Sequence, residues 1–114
     1  MNLKIRIQGK SYDVDWTNQS AVMAIMNQLS STKKIPMTKN GITQAGSLGI
    51  SIPRNDRSTI VNPGDIVYSG GNLVIYSGSD DVSCTKLGHI RGCSESQIKN
   101  MLTPGSLNLE LYEG

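Results

Sequence analysis

Apolar and polar residues alternate along the start of the chain, which is typical of strands with one buried face. This alternation covers residues 3–7 and, after a tight turn at Gly9 and Lys10, residues 12–16. Two such stretches joined by a short turn predict an opening β-hairpin. The second stretch places three apolar side chains on one face: Tyr12, Val14 and Trp16.

The next stretch has a helical period. Thr17 or Asn18 can cap its start by accepting a hydrogen bond from a free N–H group of the first turn. The polar run at residues 30–32 predicts its end. Four apolar residues share one face of this helix, which predicts that it packs on a sheet: Ala21, Val22, Ile25 and Leu29.

The middle of the chain gives a weaker pattern. Residues 33–46 contain the breakers Pro36 and Gly41, and the pattern there weakens, so it assigns no element to them. Alternation then returns at residues 48–52 and ends at Pro53, which predicts one strand there. The polar residues 54–57 predict a loop.

A turn signal opens the second half of the chain. At residues 62–65, Pro63 supplies a φ near −65° and Gly64 supplies the positive φ of a type II turn. Residues 66–68 and 73–76 are continuously apolar apart from their tyrosines and predict a second hairpin.

The C-terminal part predicts three more elements. Residues 85–90 indicate a strand, and the alternating leucines at residues 107–111 indicate a final one. Between them, Ser94 and Gln97 have the spacing of a capping box, so a short helix is expected to begin after Ser94.

Composition and charge limit the classes of protein. A length of 114 residues predicts a single domain over residues 1–114. The net charge of +2, with its basic residues scattered, provides no field that would attract nucleic acid. No apolar run approaches the roughly 20 residues that cross a bilayer, and residues 1–6 alternate and show no signal peptide, so we expect no membrane partner and a cytoplasmic location.

Residues that could support metal or acid–base chemistry are few. Cys84 and Cys93 are too few for a disulfide scaffold, and we expect two free thiols. Only His89 could join them as a soft ligand, whereas a structural zinc site needs four ligands. We therefore predict no metal, no cofactor and no catalytic residue, and we expect His89 to be a structural or an exposed ring.

Three motifs of the second half resemble those of the small prokaryotic cyclophilin-like domains. They are PGDIVY at residues 63–68, GNLVIY at residues 71–76 and LGHI at residues 87–90, followed by the short helix. The opening hairpin and helix would also suit a β-grasp domain, but these later motifs favour the cyclophilin-like family over nearly the whole chain. The resemblance implies a mainly β fold, a compact antiparallel barrel with one helix in its N-terminal half and one short helix in its C-terminal half.

The same resemblance raises prolyl isomerisation as a function. Cyclophilins aim an arginine from a barrel strand at the twisting amide and flank it with phenylalanines. The corresponding stretch here, residues 47–52, has no arginine, and the chain has no phenylalanine. Arg54 is the nearest candidate donor, and Tyr68 or Tyr76 could supply an aromatic wall. This departure makes isomerase activity the weaker hypothesis.

A binding module without catalysis is the stronger hypothesis. Small barrels commonly bind a small apolar ligand or an extended peptide at a mouth or flank. The side chains most able to contribute binding energy are Trp16, Arg54, Tyr68 and Tyr76. A homo-oligomer formed through a strand edge is a third hypothesis. The ligand's identity, the oligomeric state and the pathway are left open by the sequence.

Overall fold

A computed structural model describes residues 2–114, which form ten strands and two helices. In chain order these are β1 (Leu3–Ile7), β2 (Lys10–Tyr12), β3 (Val14–Trp16), α1 (Gln19–Gln28), β4 (Lys33–Asn40), β5 (Thr43–Ser47), β6 (Arg57–Val61), β7 (Asp65–Ser69), β8 (Asn72–Tyr76), β9 (Asp80–Ile90), α2 (Glu95–Met101) and β10 (Ser106–Glu113). No helix within residues 2–114 has the length and apolar character needed to cross a membrane.

Nine of these strands form one antiparallel sheet that curls into a nearly closed barrel. Their order is β2-β1-β10-β4-β5-β8-β7-β9-β3, and β6 pairs with β9 beside this path. The two ends of the path, β2 and β3, are separated by Asp13 alone. A single bent segment therefore joins the two edges of the sheet, which confirms the predicted mainly β barrel with an early and a late helix.

The bend at Asp13 corrects the expected opening hairpin. Only Lys10–Tyr12 pairs with β1, whereas Val14–Trp16 pairs with β9. Glycine in β9 makes this second pairing close: a Cβ placed on Gly88 would lie 2.7 Å from the carbonyl oxygen of Asp15. The expectation of one continuous strand over residues 12–16 was wrong because Val14–Trp16 pairs with β9, which is distant in sequence.

Both helices are found where local signals predict them. The side chain of Asn18 accepts a hydrogen bond from the Ala21 N–H at 3.1 Å and caps α1. Helix α2 begins with a complete capping box between Ser94 and Gln97. The buried residues of the two helices, which pack in the main core, are Ala21, Val22, Ile25 and Ile98.

The middle of the chain shows two strands that the sequence left unassigned and lacks one strand that it predicted. Residues 33–46 contain β4 and most of β5, which form a hairpin around Gly41, a glycine with a φ of +64°. The strand expected at residues 48–52 is an irregular segment in which Gly49 has a φ of +74°. The alternation there reflects burial of Leu48 and Ile52 in the barrel core and not a hydrogen-bonded ladder.

Strand β6 produces a second, smaller core that the sequence did not predict. It pairs with the first half of β9, which extends back to Asp80 instead of beginning near residue 85. Arg57, expected in a loop, is the first residue of β6. The second core consists of Val61, Val67, Val74, Tyr76 and Cys84. Strands β7 and β8 are thus buried on both faces, which accounts for their continuous apolar runs.

Candidate functional site

The barrel has one interruption along its strand order, between β1 and β3. Pairing between β1 and β2 ends where Ile5 lies opposite Tyr12, so the preceding part of β1 has no ladder to β3. The indole Nε1 of Trp16 reaches across and donates a hydrogen bond to the Leu3 carbonyl at 2.8 Å. We call this opening between Leu3–Lys4 and Val14–Trp16 the seam.

A pocket of about 500 Å³ lies in the seam. Its volume falls within the range of roughly 300–1,000 Å³ that is usual for small-molecule sites. Its wall is mixed: aromatic and thioether side chains lie beside polar ones, and they include Met23 of α1, which is 60 % exposed. The apolar wall residues of this seam pocket are Leu3, Tyr12, Val14, Trp16, Val22, Met23 and Met26.

Charged side chains surround the same pocket. Lys4, Asp13 and Arg91 line it, and none of them takes part in an ion pair within residues 2–114. Asp13 and Arg91 come from adjacent segments, since the Arg91 N–H donates to the Asp13 carbonyl at 2.8 Å. The pocket therefore combines an apolar wall with two cations and one carboxylate that can bind a ligand.

The four candidate residues from the sequence lie in different surroundings. Trp16 lines the seam pocket. Tyr68 is 7 % exposed in the main core, and Tyr76 is 8 % exposed in the second core, where burial raises the pKa of its hydroxyl. Arg54 lies in the exposed loop before β6. The structure therefore does not gather the four residues into one site.

Arg54 belongs to a polar cluster that fixes its loop to β9. Its Nη2 donates to the Asp56 carboxylate at 2.6 Å, and this hydrogen bond is the main cause of its raised pKa. The other Asp56 oxygen accepts from the buried Thr85 hydroxyl at 2.6 Å, and Thr85 in turn accepts from the Asn55 N–H at 2.9 Å. The Thr85 hydrogen bond, followed by that from Arg54, lowers the pKa of Asp56.

A second polar cluster holds the turn before β7. Asp65 is buried, and its Oδ1 lies 2.7 Å from Nδ1 of His89, whose side chain is 44 % exposed. Its Oδ2 accepts from the Asn62 N–H at 2.8 Å and lies 3.6 Å from the Lys86 ammonium. These contacts hold residues 62–65 against β9. Asp65 is thus the structural partner of His89.

The two cysteines are free, as expected. Cys84 is buried, and this burial raises the pKa of its thiol, whereas Cys93 is half-buried. Within residues 2–114, no three His, Cys, Asp or Glu side chains form a group that could hold a metal ion.

Sequence reasoning missed most of the seam pocket. Met23, Met26, Asp13 and Arg91 were not among the candidate binding residues that the sequence predicted. The sequence did contain one indication that Met23 is exposed, because this residue lies off the apolar helix face formed by Ala21 and Ile25. The bend that opens the pocket had no local signal, since it depends on pairing with β9.

Comparison with known proteins finds solved structures with a similar fold. No curated protein matches the chain. A solved structure of McbB in complex with tryptophan superimposes with a TM-score of 0.70 at 8 % identity, covering 97 % of this chain and 44 % of that one. This chain therefore spans less than half the length of McbB. The solution structure of the hypothetical protein AF2241 from Archaeoglobus fulgidus gives a TM-score of 0.65 at 16 % identity, with coverage of 100 % and 95 %.

These similarities show the fold, and the sequence shows the family. A sequence model described as the cyclophilin-like family matches residues 5–112. The matched region includes the β7–β8 hairpin with the PGDIVY and GNLVIY motifs, the LGHI motif and both helices. The chain therefore belongs to the cyclophilin-like family.

Proposed function

We propose that this protein is a binding module without catalysis and that the seam pocket is its binding site. The observation that carries the proposal is the pocket itself, which has an aromatic and thioether wall, unpaired charges at its edge and a volume of about 500 Å³. Ligand sites commonly combine a mostly apolar lining with a few polar groups that orient the ligand. Trp16 and the charged side chains of Lys4, Asp13 and Arg91 line this same pocket.

The lining indicates the chemistry of the ligand. Trp16 and Met26 offer a flat, polarisable surface to an apolar group. Arg91 and Lys4 can bind a carboxylate or a carbonyl, and Asp13 can bind an ammonium or an amide N–H. The ligand class is thus a small amphipathic molecule or peptide with an apolar group beside polar atoms. Because the structural neighbour McbB was solved with tryptophan, L-tryptophan is a suitable first probe.

Prolyl isomerase activity remains the weaker hypothesis. A catalytic arginine needs a guanidinium directed at the substrate amide beside an open apolar pocket. The Arg54 guanidinium is instead paired with Asp56 at 2.6 Å, and the neighbouring Tyr68 is 7 % exposed. Neither residue lines the seam pocket.

Titration of the ¹⁵N- and methyl-labelled protein followed by NMR tests the proposal. The probes are L-tryptophan and a set of capped Xaa-Pro peptides. We expect at least one probe to shift the Trp16 indole resonance together with the methyl groups of Met23 and Met26. The replacement Met23→Gln should weaken this binding several-fold, whereas Ile60→Gln should leave it unchanged. Both side chains are exposed, by 60 % and 71 %, but only Met23 lines the pocket.

Exchange spectra recorded on the same peptide samples test the isomerase alternative. We expect the cis/trans exchange rate of the peptides to be the same with and without protein. A faster exchange that is lost in Arg54→Ala would contradict the proposal and support catalysis at that loop. If neither tryptophan nor any peptide shifts the seam resonances at millimolar concentration, the seam pocket is not a site for this ligand class.

A further inference from the structure

The main-chain N–H and C=O groups of β3 point alternately toward β9 and toward the seam. Hydrogen bonds join the Arg91 N–H to the Asp13 carbonyl and the Thr17 N–H to the Leu87 carbonyl, both at the β9 side. Since main-chain groups alternate along an antiparallel strand, residues 13, 15 and 17 face β9. Val14 and Trp16 therefore direct their N–H and C=O groups into the seam.

The opposite wall of the seam follows the same rule. Asn2 exchanges two hydrogen bonds with Gly114, and the Gln8 N–H donates to the Asn108 carbonyl. The even-numbered residues of β1 therefore face β10, and Leu3 faces the seam. Its carbonyl already accepts the Trp16 indole N–H.

These two edges provide a defined set of hydrogen-bonding groups. The Trp16 carbonyl accepts from the Gln19 side chain. This leaves the N–H of Leu3, the N–H and C=O of Val14 and the N–H of Trp16, three donors and one acceptor. No strand among residues 2–114 pairs with β3 on this side. All three residues line the seam pocket.

We infer that the ligand of the seam pocket is a peptide in extended conformation that adds as a strand along the free edge of β3. This inference rests on the proposed function and names its ligand class. The N–H groups of Val14 and Trp16 recur at two residues, about 6.8 Å, which is the repeat of carbonyl groups along one edge of an extended chain. Strand addition to an exposed edge is an established mode of peptide recognition.

The surroundings of this edge favour a peptide over other occupants. An apolar ring alone would leave the three N–H donors without partners as it displaced water from them. A second copy pairing edge to edge is disfavoured because β3 has only three residues, contains Asp15 and directly follows Asp13. A short peptide can satisfy the donors and place alternate side chains on the Trp16 and Met26 wall.

Amide hydrogen exchange in the full chain tests this inference. The probe is acetyl-Ser-Leu-Ser-Leu-Ser-amide, compared with an analogue in which an ester replaces the amide of one leucine. With the peptide near saturation, we expect exchange at the amides of Leu3, Val14 and Trp16 to slow several-fold. The Asp15 amide, which faces β9, is the control within the same strand and should not change. The ester analogue should bind about 2–10-fold more weakly, the effect of one net hydrogen bond.

Each alternative gives a different result. If the peptide shifts the methyl groups of Met23 and Met26 but leaves the exchange of the seam amides unchanged, strand addition is wrong and the binding site stands. If neither the peptide nor L-tryptophan shifts any seam resonance, both proposals fail. If the three amides are protected in the free protein and become exposed on dilution, a second copy is the occupant and the inference is wrong.

Discussion

The indole N–H of Trp16 donates to the Leu3 carbonyl at 2.8 Å, and this bond is the link between the two strands that flank the seam. It replaces the main-chain ladder that would otherwise close the barrel at this point. The same side chain forms part of the pocket wall. Trp16 therefore both holds the seam and offers the largest aromatic surface within it.

Replacing Trp16 by phenylalanine should loosen the seam. An aromatic ring is kept, but the part-buried Leu3 carbonyl loses its donor, so we expect the free energy of unfolding to fall by about 1–3 kcal/mol. Urea unfolding followed by circular dichroism measures the change. Tyr12→Phe is the matched control, because the Tyr12 hydroxyl makes no hydrogen bond within residues 2–114, and it should change stability by less than about 0.5 kcal/mol. Equal losses in the two variants would contradict a role for the indole bond.

Thr85→Val should release the loop that contains Arg54. The buried hydroxyl donates to Asp56 and accepts from the Asn55 N–H, and an isosteric valine does neither. We expect a loss of about 1–3 kcal/mol in the free energy of unfolding. Ser58→Ala removes an exposed hydroxyl bonded to Asp81 and should cost little. A loss no larger than that of Ser58→Ala would show that Thr85 does not hold the loop.

The Asp56 carboxylate should make stability depend on pH in the acid range. Its pKa in the folded protein lies below the ordinary 3.8 because Thr85, and then Arg54, donate to the ionised form. A lowered folded pKa stabilises the protein above the unfolded pKa, and this contribution is lost as pH falls through the folded pKa. Below about pH 4 the free energy of unfolding should fall more steeply for the wild type than for Asp56→Asn. Parallel curves between pH 7 and pH 2 would contradict this assignment.

The two thiols should differ in reactivity. Cys84 is 2 % exposed and burial raises its pKa, so little thiolate is present at neutral pH, whereas Cys93 is half-buried. Mass spectrometry of the native protein treated with iodoacetamide at pH 7.5 should show alkylation of Cys93 first. Cys84 should react at a comparable rate only in denaturant. Labelling of native Cys84 as fast as Cys93 would show that the second core opens readily.

Local signals in the sequence were sufficient for the elements whose causes are local. The Asn18 cap, the capping box at Ser94 and the turn at residues 62–65 each depend on neighbours within four residues. The alternating stretches of β1 and β10 were equally clear because both strands bury one face. The short motifs around β7, β8 and the end of β9 pointed to the cyclophilin-like family, which the match over residues 5–112 confirmed.

The alternation of apolar and polar residues gave a wrong prediction where alternate side chains are buried but the backbone does not pair as a strand. Residues 48–52 bury alternate side chains in the barrel core without a partner strand, so their pattern is that of a strand and their backbone is not. In strand β6 the reverse holds, because its backbone pairs as a strand although few of its side chains are buried. It is mostly exposed, and its ladder with β9 covers the outer face of β7 and β8.

The sequence by itself determined the class of fold, the family and both helices, because periodicity, capping and turn chemistry act over a few residues. Only the tertiary structure decided the bend at Asp13, the seam and the pocket within it. That bend exists because Gly88, more than seventy positions away, allows β9 to approach the chain at Asp15 and draws Val14–Trp16 away from β1. A site formed by competition between two distant partners leaves no local pattern, which is why Trp16 could be singled out and the residues around it could not.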